Sequence, residues 1–553
     1  VSGPRPRIES GDLAAAVDRR LRQWRDEQLR RRLWSRDPTI WSAEPRPELA
    51  DRLGWLGLPA EMPARVAELE SFAATVAADG FAEIVLLGMG GSSLAPEVFQ
   101  RCFGNRSDRP RLRVLDSTHP DMVRRVGDEI TPERTLFVVS SKSGTTIETL
   151  SLLRHFWRRL AEAVEHPGRH FAAITDPGSA LAEWARDRDF RGLFLAPTDV
   201  GGRYSALTVF GLLPAALIGV DIGELLRRAR EMAADSALGL GALLGEAALA
   251  GRDKLILVTS PELAAFPDWI EQLVAESTGK DGRGIVPVVD ETLSAGELAR
   301  PGRVTADSVV VAVGLESADG RAEMESALDA VGAAGHPVAR LDLRDRLDLG
   351  AEILRWEVAT ATAGAVLGIQ PFDQPDVQVA KRLAQEAMRG ETSRQGGPAI
   401  PTVRVAPTDP QGPETPLGDA LRAWLAARRE GDFLAVQAYV DRSPEHLREL
   451  QALCRRLRAA SGLPTTLGFG PRFLHSTGQL HKGGANTGLF LQLIDRPGSD
   501  LPVPATDFTF GELIGAQADG DARALLGRDR RLLRVDLGAG DAAGLAAVTA
   551  ELS

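Results

Sequence analysis

Short apolar runs recur along this chain, and each is followed by a longer stretch of helical spacing. IVLLG (84–88), RVLDS (113–117), LFVVS (136–140), FAAIT (171–175) and LFLAP (193–197) form one such series. LILVT (255–259), IVPVV (285–289), VVVAVG (309–314) and VARLDL (338–343) form a second. Strand-length apolar runs alternating with helices read as βαβ units, whose crossovers leave both faces of a parallel sheet covered. The expected fold class is therefore α/β, with two doubly wound domains over 63–220 and 221–388. Residues 1–62 read as an amphipathic helical lead-in containing Trp34, Trp41 and Trp55. Residues 389–416, rich in Pro and Gly, read as a linker. Over 417–553, strand-like FLAVQAYV and GLFLQLI flank a helix at 445–460, predicting a further α/β region.

At 553 residues the chain exceeds one hydrophobic core, which agrees with several domains. Its net charge of -11 offers no basic footprint for nucleic acid or an anionic membrane. The apolar run 206–220 is interrupted by Gly211 and Pro214 and is shorter than the roughly 20 residues of a spanning helix. Cys102 and Cys454 stand far apart with no Cys/His cluster, so neither a disulfide framework nor a zinc site is expected. The start carries positive charge without an apolar stretch behind it and does not read as a secretory signal. A cytoplasmic setting follows, and an anionic substrate must be held locally.

Five motifs carry chemistry. GMGGSS (88–93) lies at a strand-to-helix turn, where glycines admit close approach of backbone N–H groups to a ligand. A dinucleotide fingerprint would need a third glycine at the position of Ser93, although Asp116 closes the next strand as a ribose-binding acid would. SSKSGTT (140–146) brings five hydroxyls to the start of a long helix, with Glu148 beyond, and suits a phosphate monoester. VGGRYSALTVFG (200–211) sets Arg203 at the mouth of an apolar helix, where a guanidinium can stabilise an oxyanion. WIEQLVAESTGKDGRG (269–284) spaces Gln272, Glu276 and Lys280 at i, i+4 and i+8, so that Gln272 and Glu276 share a helical face. QPFDQPDVQVAKRLA (370–384) holds Gln374 and Lys381 seven residues apart on one face of a helix that Pro375 would begin. Taken singly, Arg203, Glu276 and Lys381 also suit a structural ion pair, a solvated helix end and a snorkelling lysine.

Together and in this order the five motifs resemble the glucose-6-phosphate isomerase family over 88–384. The resemblance implies two sugar-isomerase domains, each a flavodoxin-like αβα sandwich, with a cofactor-free and metal-free site between them. By motif it implies sugar contacts at Gly91 and Ser92, and a phosphate loop of Ser141, Lys142, Ser143 and Thr146. It implies Gly202 and Arg203 as the turn with the transition-state arginine, and Gln272 and Glu276 as the segment with the catalytic base. Gln374 and Lys381 match the family's terminal helix with its ring-opening lysine. GFGPRFLHSTGQLHKGGANTGLF (468–490) and LWSRDPTIW near the start are similar to the isomerase half of transaldolase fusion proteins. Descent from such a fusion, and a homodimer, stay open at this point.

The family's catalytic histidine precedes its lysine, whereas only His336 lies between Glu276 and Lys381 here. The resemblance of HSTGQ to that histidine's surroundings moves the role to His475, with His481 as the alternate. The implied partners are glucose 6-phosphate and fructose 6-phosphate, interconverted by ring opening and proton transfer through a cis-enediol. The competing expectations are an isomerase that also takes mannose 6-phosphate, a non-catalytic sugar-phosphate binder of the same fold, and a nucleotide-dependent oxidoreductase, which Ser93 disfavours.

Overall fold

The computed structural model describes residues 6–289, 293–300, 302–376, 400–405, 415–539 and 542–552. Three five-stranded sheets organise them. Strand β1 (Arg7–Glu9) is a latecomer to a sheet built far downstream, where it pairs antiparallel with β10 (Val338–Leu343). Thus the lead-in, helical over Ala14–Asp26 and Leu29–Trp34, also contributes an edge strand.

The first sheet holds β2 (Glu83–Gly88), β3 (Arg111–Leu115), β4 (Thr135–Ser140), β5 (Phe171–Thr175) and β6 (Gly192–Leu195), all parallel, in the order β3-β2-β4-β5-β6. The second holds β7 (Lys254–Thr259), β8 (Val286–Val289), β9 (Ser308–Leu315) and β10, in the order β10-β9-β7-β8. Strands β2, β4, β5 and β7 are buried almost throughout, which is why they read as continuous apolar runs without alternation.

The third sheet takes β11 (Thr402–Arg404), β12 (Phe433–Tyr439), β13 (Thr465–Phe469), β14 (Gly488–Ile494) and β15 (Arg531–Asp536) in the order β11-β15-β14-β12-β13, all parallel. Numbered within each unit, the central strands follow the same 2-1-3-4 order in all three sheets. The C-terminal region is therefore wound like the two units before it. Strand β11 falls inside the stretch expected to be linker.

Each sheet has a point where its winding reverses, and loops beyond the carboxyl ends of strands there form ligand crevices. In the first sheet that point lies between β2 and β4, whose following turns are GMGGSS and SSKSGTT. One continuous apolar core joins the first and second units. Its tightest seam is helix Ala234–Leu249 against Leu349–Leu367, where a Cβ on Gly241 would stand 2.0 Å from Thr362 Oγ1. Among the described residues no single helix is long and apolar enough to cross a membrane.

Candidate active site

The turn after β2 is where four distant segments touch. Gly90 has a φ of +56°, and a Cβ there would lie 2.8 Å from the Cβ and carbonyl oxygen of His475 and 3.0 Å from Gln272 Nε2. At Gly91 it would stand 2.1 Å from the Gly202 carbonyl oxygen. Glycine is needed at both positions because the backbones meet with no room for a side chain. The neighbouring turns are also tied together, since Ser140 Oγ donates to the Ser92 carbonyl at 2.9 Å.

Beside this turn, SSKSGTT leads into helix α1 (Ile147–Ala161). Ser141 Oγ donates to Thr146 Oγ1 at 3.0 Å, Ser143 Oγ and Thr145 Oγ1 are 3.0 Å apart, and Gly144 takes a φ of +66°. No side chain caps the helix at Thr146. The first-turn N–H groups of a helix have no intrahelical acceptor, so this end can take phosphate oxygens, favoured by the helix dipole. Lys142 turns aside: its Nζ lies 2.5 Å from Asp176 Oδ2, and its charge braces the loop from behind.

Opposite lies helix α2 (Phe266–Thr278), with Gln272 and Glu276 both buried on one face near its C-terminal end. Arg203 Nη1 lies 3.1 Å from Glu276 Oε1 and donates to Gln374 Oε1 at 2.9 Å. Its Nε donates to Ser277 Oγ at 2.8 Å, and Nη2 donates to the carbonyls of Pro371 and Asp373. A guanidinium only 3% exposed, with every nitrogen engaged, is fixed in place before any ligand arrives. Gln272 Nε2 donates to Glu276 Oε2 at 3.2 Å and to the His475 carbonyl at 2.6 Å.

His475 arrives from the third unit, at the end of the short turn Arg472–His475. Its Nε2 lies 2.9 Å from Glu148 Oε1 in the first turn of α1. Three residues earlier, the half-buried Arg472 reaches Glu97, Asp116 at 2.7 Å and Asp268 at 3.6 Å, locking the turn onto the first two units. Burial alone would raise the Glu97 carboxyl, but Arg442 and Arg472 draw it down to about 2, so this lattice is ionic at neutrality. The same contacts occupy the supposed ribose acid: Asp116 is 1% exposed and bonded by Arg472 and by Ser93 Oγ at 3.3 Å.

The structure thus brings together Gly91, Ser92, Ser141, Ser143, Thr146, Gly202, Arg203, Gln272, Glu276, Gln374 and His475, while Lys381 lies outside the described residues. The alternate, His481, is elsewhere. It is packed among Phe433, Phe473 and Phe490 with Nδ1 3.1 Å from Gln437 Nε2, and burial holds its imidazole well below its usual range. Two neighbours of the cluster, Glu148 and Lys280, carry no site role in the sequence reading. Glu148 has a signal in retrospect, a carboxylate two residues past a hydroxyl loop. Lys280 is buried against Asp373 at 3.1 Å and donates to the Gln370 carbonyl at 2.7 Å. Burial first, and then Arg203, bring its ammonium down to about 7 against the pull of Asp373. Among the described residues no three His, Cys, Asp or Glu side chains gather as a metal set.

The phosphoglucose isomerase family matches residues 70–285, which include the glycine turn, the hydroxyl loop, Arg203 and Glu276. A glucose-6-phosphate isomerase of Rubrobacter xylanophilus is 31% identical over 389 residues, covering 62% of this chain and 90% of that relative. One from Thermus thermophilus is 30% identical over 415 residues, covering 66% and 94%. Among solved structures, a hypothetical protein of Thermus thermophilus superposes with a TM-score of 0.58 at 27% identity, covering 69% of this chain and 99% of its own. The glucose-6-phosphate isomerase of Chlamydia trachomatis, at a TM-score of 0.53 and 21% identity, covers 66% and 79% and shares the fold. Nearly whole relatives are matched across the segments that converge on Glu276, and the chain belongs to the glucose-6-phosphate isomerase family.

Proposed function

We infer that this chain is a glucose-6-phosphate isomerase, interconverting glucose 6-phosphate and fructose 6-phosphate. The observation that carries the reading is a buried carboxylate, Glu276, held by Arg203 on one side and by Gln272 on the other, with His475 bonded to the same Gln272. A proton-shuttling base needs this kind of fixed orientation, because misplacement by an ångström can cost about 10²-fold in rate.

The phosphate is assigned to the Ser141–Thr146 loop and the uncapped start of α1, which supply hydroxyl and backbone donors to a group that does not react. His475, oriented by Glu148, and Lys381 are assigned the proton transfers that open the ring. Glu276 takes the proton from C2 and returns it to C1. Arg203 Nη1, already at the carboxylate, is placed to share its charge with the developing enediolate oxygen. Each step moves a proton within one substrate, so the reaction is balanced without a co-reactant. The two cysteines, both buried, suit the reducing cytoplasm to which we assign the chain.

The test is a coupled assay of glucose 6-phosphate formed from fructose 6-phosphate. Glu276→Gln should lower kcat by about 10²–10⁴-fold with KM nearly unchanged, the usual worth of a general base. Turnover at the parent rate would remove Glu276 from the mechanism.

A further inference from the structure

The His475–Glu148 contact does not end at Glu148. The same Oε1 that faces His475 accepts a second hydrogen bond, at 2.7 Å, from Gln517 Nε2. Gln517 sits midway along helix α3 (Phe510–Leu526) of the third unit, is 5% exposed, and receives a bond at 3.1 Å on its Oε1 from Thr118 Oγ1. Thr118 is fully buried just beyond the carboxyl end of β3. The direction of this chain follows from chemistry. An ionised carboxylate only accepts, so the amide must turn its nitrogen to Glu148, leaving its oxygen for the Thr118 hydroxyl.

We propose that Gln517 is a positioning residue for the reaction: its amide, oriented by Thr118, holds the ionised Glu148 in place so that Glu148 can fix the ring of His475. The proposal rests on the isomerase reading of the site and extends it to a helix of the C-terminal unit. Two donors on one carboxylate oxygen favour its charged form and define its rotamer. Removing one leaves a buried acceptor less satisfied, raises the proton affinity of Glu148, and frees His475 to turn.

The experiment compares the intact chain with Gln517→Leu, Gln517→Glu and Thr118→Val in glucose 6-phosphate turnover across pH. Gln517→Leu should lower kcat about 10-fold with KM within about twofold, and move the acid limb of the kcat profile to higher pH, because Glu148 now takes up its proton sooner. Gln517→Glu sets a second carboxyl against Glu148, so its deficit should be largest near neutrality and shrink on acidification, when the new carboxyl can donate. Thr118→Val should shift the acid limb in the same direction by less, and carries the same test should Gln517→Leu fold poorly. A Gln517→Leu profile superimposing on the parent, or a pH-independent loss shared by kcat and KM, would overturn the positioning role. A parent chain unable to isomerise fructose 6-phosphate would instead sink the isomerase reading itself.

Discussion

At the scale of single residues, the site is set as much by glycines as by charged groups. Gly91 passes so close to Gly202 that a methyl group must displace one of the two turns, and the second turn carries Arg203. Gly91→Ala should therefore cost about 1–3 kcal/mol of stability, as overpacking does, and also displace Arg203 from Glu276. Thermal melting would register the first effect and a fall in kcat of about tenfold or more the second. An alanine variant with parent stability and rate would mean that the two turns do not constrain each other. That Arg203 and Glu276 belong to one cluster was legible in sequence, because motif and chemistry coincide there. Lys142 shows where that fails. Its place in the hydroxyl loop suggests a phosphate contact, but Asp176, 34 residues downstream, takes its ammonium, and no local spacing encodes such a partner.

At the scale of elements, strand and helix types were readable because period and composition agree. The apolar runs at 84–88 and 136–140 became β2 and β4, and the helix expected at 445–460 runs from Pro444 to Ser461. What the pattern hid were the short edge strands β1 and β11, three residues each, too brief for any periodicity and formed only because a neighbouring strand offers its open edge. The element to which the proposed function gives the phosphate is the start of α1. With its end uncapped and the hydroxyls of Ser141, Ser143, Thr145 and Thr146 arrayed before it, the proposed reaction assigns it to hold an anion rather than to react. Ser143→Ala combined with Thr146→Ala should raise KM for fructose 6-phosphate about tenfold or more while kcat changes only severalfold, since bonds to a charged group are worth about 1.5–3 kcal/mol. If unphosphorylated fructose inhibited the parent chain as well as fructose 6-phosphate does, the phosphate loop would lie elsewhere.

At the scale of the whole molecule, the third sheet is an integral part of the candidate site. Its position could not be read from sequence, because periodicity reports which face of an element is apolar and says nothing of which distant unit covers it. The seam is made by polar pairs scattered over the chain: Arg472 with Glu97, Asp116 and Asp268, Arg125 with Asp441, and His119 with Asp495 at 3.0 Å. Through this seam a histidine that follows the lysine motif in sequence reaches Glu148 and Gln272 of the first two units. The delivered side chain is an imidazole, which can donate a proton from one ring nitrogen and accept one at the other, as the proposed ring opening requires. His475→Ala should accordingly slow turnover of cyclic glucose 6-phosphate by about 10²-fold or more, within the range of acid–base contributions, and spare an open-chain analogue that bypasses the ring-opening step. Stopped-flow comparison of the two substrates reads the difference directly. Equal losses on both would assign His475 to holding Gln272 through its backbone carbonyl, a contact alanine retains only if the turn pinned by Arg472 keeps its shape. No loss on either would leave ring opening to Lys381 alone.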